Sequence, residues 1–180
     1  MAYNMKDVFY LDTTVNTGTG TSMTAAVLDL SSYVDPIARG RAKGTGLAIY
    51  RVHFDICDDD GNSPVAASAT GQFRAGLMSI SGLSSGTVSL DSNTLNASND
   101  LMIAGVDFAA GGTAAGDPAP HMFLEPSDDV PYVVVRDQVT LIVNPITGMS
   151  AAADVKVRLE CAQVTLDQST LNQLLRTQTV

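Results

Sequence analysis

The stretch Asp154–Leu166, Asp-Val-Lys-Val-Arg-Leu-Glu-Cys-Ala-Gln-Val-Thr-Leu, constrains the fold more than any other. Val155, Val157, Leu159 and Cys161 alternate with Asp154, Lys156, Arg158 and Glu160. An extended chain sends successive side chains to opposite faces, so this period of two marks a strand with one buried and one wet face. Tyr132–Val143 has the residues of its antiparallel neighbour. Between them, Asn144-Pro145-Ile146-Thr147-Gly148 reads as a turn-rich link that cannot continue a strand. The pair is expected to form the centre of an all-β protein.

A second strong strand runs from Gly46 to Cys57, with Ala48, Tyr50, Val52, Phe54 and Ile56 on one face and Arg51, His53 and Asp55 on the other. Shorter extended segments lie at 7–12, 25–34, 65–80, 87–90, 101–108 and 121–124, separated by Gly, Pro and Asp. Residues 13–24 and 109–120 contain almost no core-forming side chains and read as flexible loops. After Leu166 the period lengthens. Asp167 suits an N-cap, and Leu171, Leu174 and Leu175 recur at three and four residues, so 167–178 is expected to be a short amphipathic helix. About eight strands and one terminal helix in 180 residues make a single domain over 1–180, a sandwich or barrel. No repeat period suggests a propeller or solenoid.

The net charge of -9 argues against direct nucleic-acid binding, which needs a basic face. The acidic residues are nearly all Asp, with Glu only at 125 and 160, and Lys occurs only at 6, 43 and 156. An Asp-rich, Lys-poor surface suits solubility in strong salt, although Asp is also a turn former. No apolar run reaches the roughly 18 residues of a membrane span. Met1–Asp7 has no signal-peptide pattern, so synthesis in the cytoplasm without export by that route is expected.

Catalytic signatures are absent from the sequence. His53 and His121 lack a catalytic motif, and neither has a second ligand at metal spacing. Asp58, Asp60 and Asn62 have the spacing of a calcium loop, but Gly61 stands too early in it and no helix flanks it, so a plain acidic turn is expected. The chain is therefore read as a non-enzyme without cofactor or metal. Arg39, Arg41 and Lys43 cluster in a loop, either as a solvated tip or as a contact with an acidic subunit or anionic lipid. Cys57 and Cys161 read as buried free thiols or as disulfide partners; the sequence leaves both open.

Three segments carry a resemblance: Met1–Asp7, then Leu28–Val34 leading to Tyr50–Ile56, and the late strand Val155–Glu160. With the length, strand count and Asp-rich balance, the chain resembles the smaller single jelly-roll major capsid protein of tailless icosahedral haloarchaeal viruses with an internal membrane. The resemblance implies a jelly roll of about eight antiparallel strands in a virion capsid. It implies upright barrels paired with copies of themselves or with a larger, towered capsid protein, over the internal membrane. A ligand- or glycan-binding β-sandwich of a viral or cell-surface adhesin is the alternative, disfavoured by the absence of Trp and by 6% aromatics. A β-fold hydrolase using an Asp pair is a third reading.

Overall fold

The computed structural model describes residues 7–35, 43–58, 60–61, 70–111 and 119–178. Its strands are β1 (Val8–Asn16), β2 (Thr24–Asp29), β3 (Lys43–Asp58), β4 (Thr70–Met78), β5 (Gly86–Thr87), β6 (Met102–Gly111), β7 (Ala119–Leu124), β8 (Tyr132–Val134), β9 (Gln138–Thr147) and β10 (Ala153–Asp167). One helix, α1 (Gln168–Thr177), follows. The strands form two sheets, ordered β1-β10-β3-β8 and β5-β2-β9-β4-β6-β7. All ladders are antiparallel, and the main pairs between β10 and β1, β9 and β2, and β6 and β4 nest around the middle of the chain. The pair β3–β8 belongs to the same nest. Such nesting is one long hairpin rolled into two facing sheets, which is a jelly roll. The all-β, jelly-roll expectation holds.

The expected central pair does not. The neighbours of β10 are β1 and β3, not the segment before it. Residues 132–143 divide into β8, which pairs with β3, and β9, which lies in the facing sheet. The reason is burial: Val139 through Val143 are all buried, as suits a strand covered on both faces, whereas β10 keeps a wet face. The supposed turn at Asn144–Thr147 is the end of β9. Phe73 pairs with Pro145 and Gln72 with Thr147, so Ile146 is bulged out. A bulge tolerates a residue without an N–H, which is why Pro145 does not end the strand.

The longest ladder joins β3 to β10, from Ala153↔Asp58 to Asp167↔Lys43. In β10, Val155, Val157, Leu159 and Cys161 enter the core as their alternation requires. In β3 the expected face is half wrong. Glu160 pairs with Arg51 and Cys161 with Ile49, leaving Tyr50 as an extra residue. One added residue flips the facing of everything beyond it. Leu47 and Ile49 therefore point inward before the bulge, and Val52 and Ile56 after it, while Ala48 and Tyr50 stay outside the central cluster.

Two loop boundaries also shift. Thr13–Asn16 belong to β1, in register with Val157 to Asp154 of β10. Thr is a good residue for a half-buried pleat, so its abundance there did not mean a loop. Thr17 is buried; its N–H donates to the Ala153 carbonyl at 2.8 Å and its hydroxyl accepts from the Ala153 N–H at 3.0 Å. Ala109–Gly111 close β6 and Ala119–Pro120 open β7, while 112–118 lie outside the described residues.

The core lies between the sheets, where Phe73 and Phe108 stack at 5.0 Å between ring centroids. A second apolar cluster covers part of the outer face of the larger sheet. Leu95 and Leu101 from the β4–β6 connection pack there on Ala25, Met78, Met102 and Ile142. Gly76 and Gly105 lie opposite each other in β4 and β6, and their missing side chains leave a slot. A Cβ on Gly105 would strike the Phe123 ring and the Met102 methyl. At the sandwich end, Asp167 caps α1 by accepting from the Thr170 N–H at 2.8 Å, and Leu171 is fully buried beside Gly44.

Candidate functional site

The four-stranded sheet turns a wet face outward, and register sets its side chains in three rows across β1, β10 and β3. These are Tyr10–Glu160–Arg51, Asp12–Arg158–His53 and Thr14–Lys156–Asp55. The rows, Arg51 excepted, line an open depression of about 560 Å³. His53 Nε2 meets Glu160 Oε1 at 2.8 Å, tying two rows together. Arg51 reaches Asp128 at 2.9 Å, beyond the sheet. The Arg158 guanidinium lies 5.7 Å from the Tyr10 ring centroid instead of closing on Asp12, its register partner. Contact with Cys57 first, then the nearby Asp154 and Asp55 carboxylates, holds the Lys156 ammonium above its ordinary pKa.

Exposed pairs of this kind contribute only about 0–1 kcal/mol each, so this face adds little to stability. Nor does an open, two-signed sheet surface enclose a dry space in which groups could converge on a small molecule. Its chemistry is that of recognising another charged surface. Among the described residues, no three His, Cys, Asp or Glu side chains are grouped to hold a metal ion. No described helix is long and apolar enough to cross a membrane.

Those residues singled out in the sequence that the structure describes do not come together. Arg39 and Arg41 lie outside the described residues, and exposed Lys43 opens β3 opposite Asp167. Cys57 and Cys161 are both buried and free. Cys57 pairs with Asp154, seven positions from Cys161 along β10, or roughly 23 Å. An intrachain disulfide needs Cα atoms within about 7 Å, so the two cannot join within one chain. Burial pushes the Cys161 thiol up to about 12, and its Sγ lies 3.4 Å from the Phe9 carbonyl oxygen. His53 and His121 sit in different sheets. Asp58 accepts from the Asp60 N–H at 3.1 Å and Gly61 takes φ 81°, which makes a tight acidic turn; Asn62 lies outside the described residues.

No family model and no curated protein matches the chain. Solved structures of similar fold are VP1 proteins of Trichodysplasia spinulosa-associated polyomavirus. VP1 in complex with GM1 oligosaccharide superposes with a TM-score of 0.52 at 9% identity, covering 92% of this chain and 96% of that one. VP1 in complex with sialylated precision glycooligomers gives 0.53 at 9%, covering 92% and 97%. The likeness is one of fold. These neighbours are jelly-roll viral capsid proteins, and the likeness of fold extends over nearly the whole chain.

Sequence reasoning missed two polar devices. Arg74 of β4 grips Asp107 of β6 through two bonds, Nε–Oδ1 at 2.6 Å and Nη2–Oδ2 at 2.8 Å, and lies 4.5 Å from the Phe123 ring centroid on β7. That clasp fastens three strands of the larger sheet. Arg74 is the sole cation between Arg51 and Arg136, which was the available signal. Gln178, just past α1, is buried and bonds the backbone of Val133 and Val135. Nothing in the sequence marks it.

Proposed function

We propose that this chain is a structural subunit of a virion capsid and carries out no catalysis. The observation that carries the reading is the strand order, two nested four-stranded layers with β5 and β7 added at the edges of one. A shell subunit needs a rigid core with its edges managed, and a jelly roll provides one. The open charged face fits a protein that binds surfaces.

In its finer form, the subunit is the smaller, untowered jelly roll of a tailless icosahedral haloarchaeal virus, made in the host cytoplasm. It stands upright over an internal membrane and pairs with itself or with a larger capsid protein. The excess of Asp over Lys supports the high-salt setting. Arg39, Arg41 and Lys43 are its proposed contact with a neighbouring subunit or with lipid. The adhesin alternative would use aromatic platforms. Among the described residues the strongly exposed aromatic is Tyr10, which already packs with Arg158.

The test is to purify particles from the source in molar salt, identify this chain by mass spectrometry, and locate it by electron microscopy. The reading expects stoichiometric amounts in the shell. A chain absent from particles, or one that turns over a substrate, overturns it. Replacing Arg39, Arg41 and Lys43 with Ser is expected to lower particle yield while the isolated subunit folds; unchanged yield removes that contact from the proposal.

A further inference from the structure

Within the three rows, the outward charges of β10 and β3 are antisymmetric about the middle row; Asp154, one row further along β10, is held by the Asn16 amide at 2.8 Å. Along β10 they run Lys156, Arg158, Glu160; beside them on β3 they run Asp55, His53, Arg51. A half-turn about the row of Arg158 and His53 lays a second copy face to face on the first. Each strand then covers its own counterpart in reverse. Lys156 opposes Glu160 of the second copy, and Asp55 opposes Arg51, each combination occurring twice. On the axis, Arg158 is drawn aside over Tyr10, which keeps the two like guanidinium groups from meeting head-on. Asp12, in register with Arg158, sets a carboxylate beside each of them.

From this pattern we propose that the face is an isologous contact between two copies of the chain. Such a contact requires a self-complementary patch, and antisymmetry about the axis is what makes a charged patch self-complementary. Within the chain the face is stitched only in part: His53 closes on Glu160 at 2.8 Å and Arg51 on Asp128 at 2.9 Å, both solvent-accessible pairs that a facing copy can compete for. Asp12 lies opposite Arg158 and Asp55 opposite Lys156, yet no ion pair joins either couple, whereas Arg74 and Asp107 close at 2.6 Å. Three strands with the neighbouring rim offer on the order of 1,000 Å² of total buried area, near the lower limit for a specific interface. The dimer is therefore weak alone and is reinforced when many copies are held in one shell. The inference rests on the capsid reading for its setting and names the partner of the face described above.

Sedimentation equilibrium of the purified chain in moderate salt tests it. The wild type is expected to show a reversible monomer–dimer equilibrium. Lys156→Glu and Glu160→Lys should each raise the dimer dissociation constant by roughly ten- to a hundredfold. The double variant K156E/E160K should regain the wild-type constant, because the half-turn again pairs opposite charges. Arg158→Cys, on the axis, should give a disulfide-linked dimer under mild oxidation, while Thr14→Cys, one row away, should not. A wild-type monomer overturns the proposal. So do single variants that dimerise normally, or a double variant that stays monomeric with a wild-type unfolding midpoint. Particle incorporation is scored separately: a shell built without this contact removes the face assignment alone, and a dimer with no shell removes the capsid role alone.

Discussion

Replacing Gln178 with Ala probes how the end of the sandwich is closed. The side chain is 3% exposed. Its Oε1 accepts from the Val135 N–H at 3.2 Å and from the Ser79 hydroxyl at 3.3 Å, and its Nε2 donates to the Val133 carbonyl at 2.7 Å. Val135 is itself fully buried, so its N–H has no water to turn to. A buried donor left unpaired costs about 1–3 kcal/mol. The Ser79 hydroxyl keeps its contact with Tyr132, so it adds little. The lost amide volume adds a cavity term, for a total of about 2–4 kcal/mol. Urea unfolding followed by circular dichroism reads this as a lower midpoint with an unchanged slope. A loss below about 0.5 kcal/mol, the range of an ordinary surface substitution, would refute the reasoning. Gln178→Glu separates the donor from the acceptor. Ionised, it turns an oxygen on the Val133 carbonyl; protonated, it can donate there. Its folded pKa is thus raised, so its contribution is present below the unfolded pKa and lost as pH rises through the folded one. The Glu variant should be less destabilised in mild acid than at neutral pH.

Gly105→Ala forces a methyl against Phe123 and Met102 in the slot between β4 and β6. It should destabilise by about 1–3 kcal/mol, seen as a drop in thermal midpoint, and an unchanged midpoint would mean the slot is loose. Cys161, pushed up to about 12 by burial, should resist thiol reagents at mildly alkaline pH until the chain unfolds. Its raised pKa means that its share of stability is complete below the unfolded value and lost as pH climbs toward the folded one. Cys161→Ala should therefore flatten the alkaline limb of the stability profile. The Asp167 carboxylate is lowered, first by the Thr170 backbone N–H it accepts from and then by the Thr170 side chain. Its share is present above the unfolded pKa and lost as pH falls through the folded value. Asp167→Asn keeps the cap without the titration, so acid loss of helical signal should be smaller in that variant.

What could be read in the sequence depended on how unlike the two faces of each strand are. β10 has one face in oil and one in water, and its alternation is plain. β9 is buried on both faces, so no alternation betrays its direction, and Pro145 looked like a stop because a bulge cannot be foreseen from one strand alone. The bulge at Tyr50 was equally hidden: an aromatic side chain fits either face, and no glycine marks the spot. For the same reason the wet residues of β3 and β10 were legible one strand at a time, but their rows were not, because Tyr50 sets the register between them. Arg74 was conspicuous as an isolated cation, yet its partner Asp107 comes from another strand. Gln178 is one polar residue among several near the chain end, and only tertiary packing gives it a role.

The nested pairing has a kinetic consequence. Joining the two ends of the chain directly would mean closing one very long loop. Here each outer pair closes only a short extra connection once the pair inside it has formed, and closure entropy grows slowly with length. The roll should therefore zip from β4 and β6 outward, with β1 docking on β10 last. Substitutions at Ala75 or Val106, which face each other in the innermost pair, should slow folding. Those at Val15 on β1 should mainly hasten unfolding. On the ribosome β1 would then stay loose until β10 has emerged, so the wet face that spans β1, β10 and β3 is the last surface of the fold to be completed.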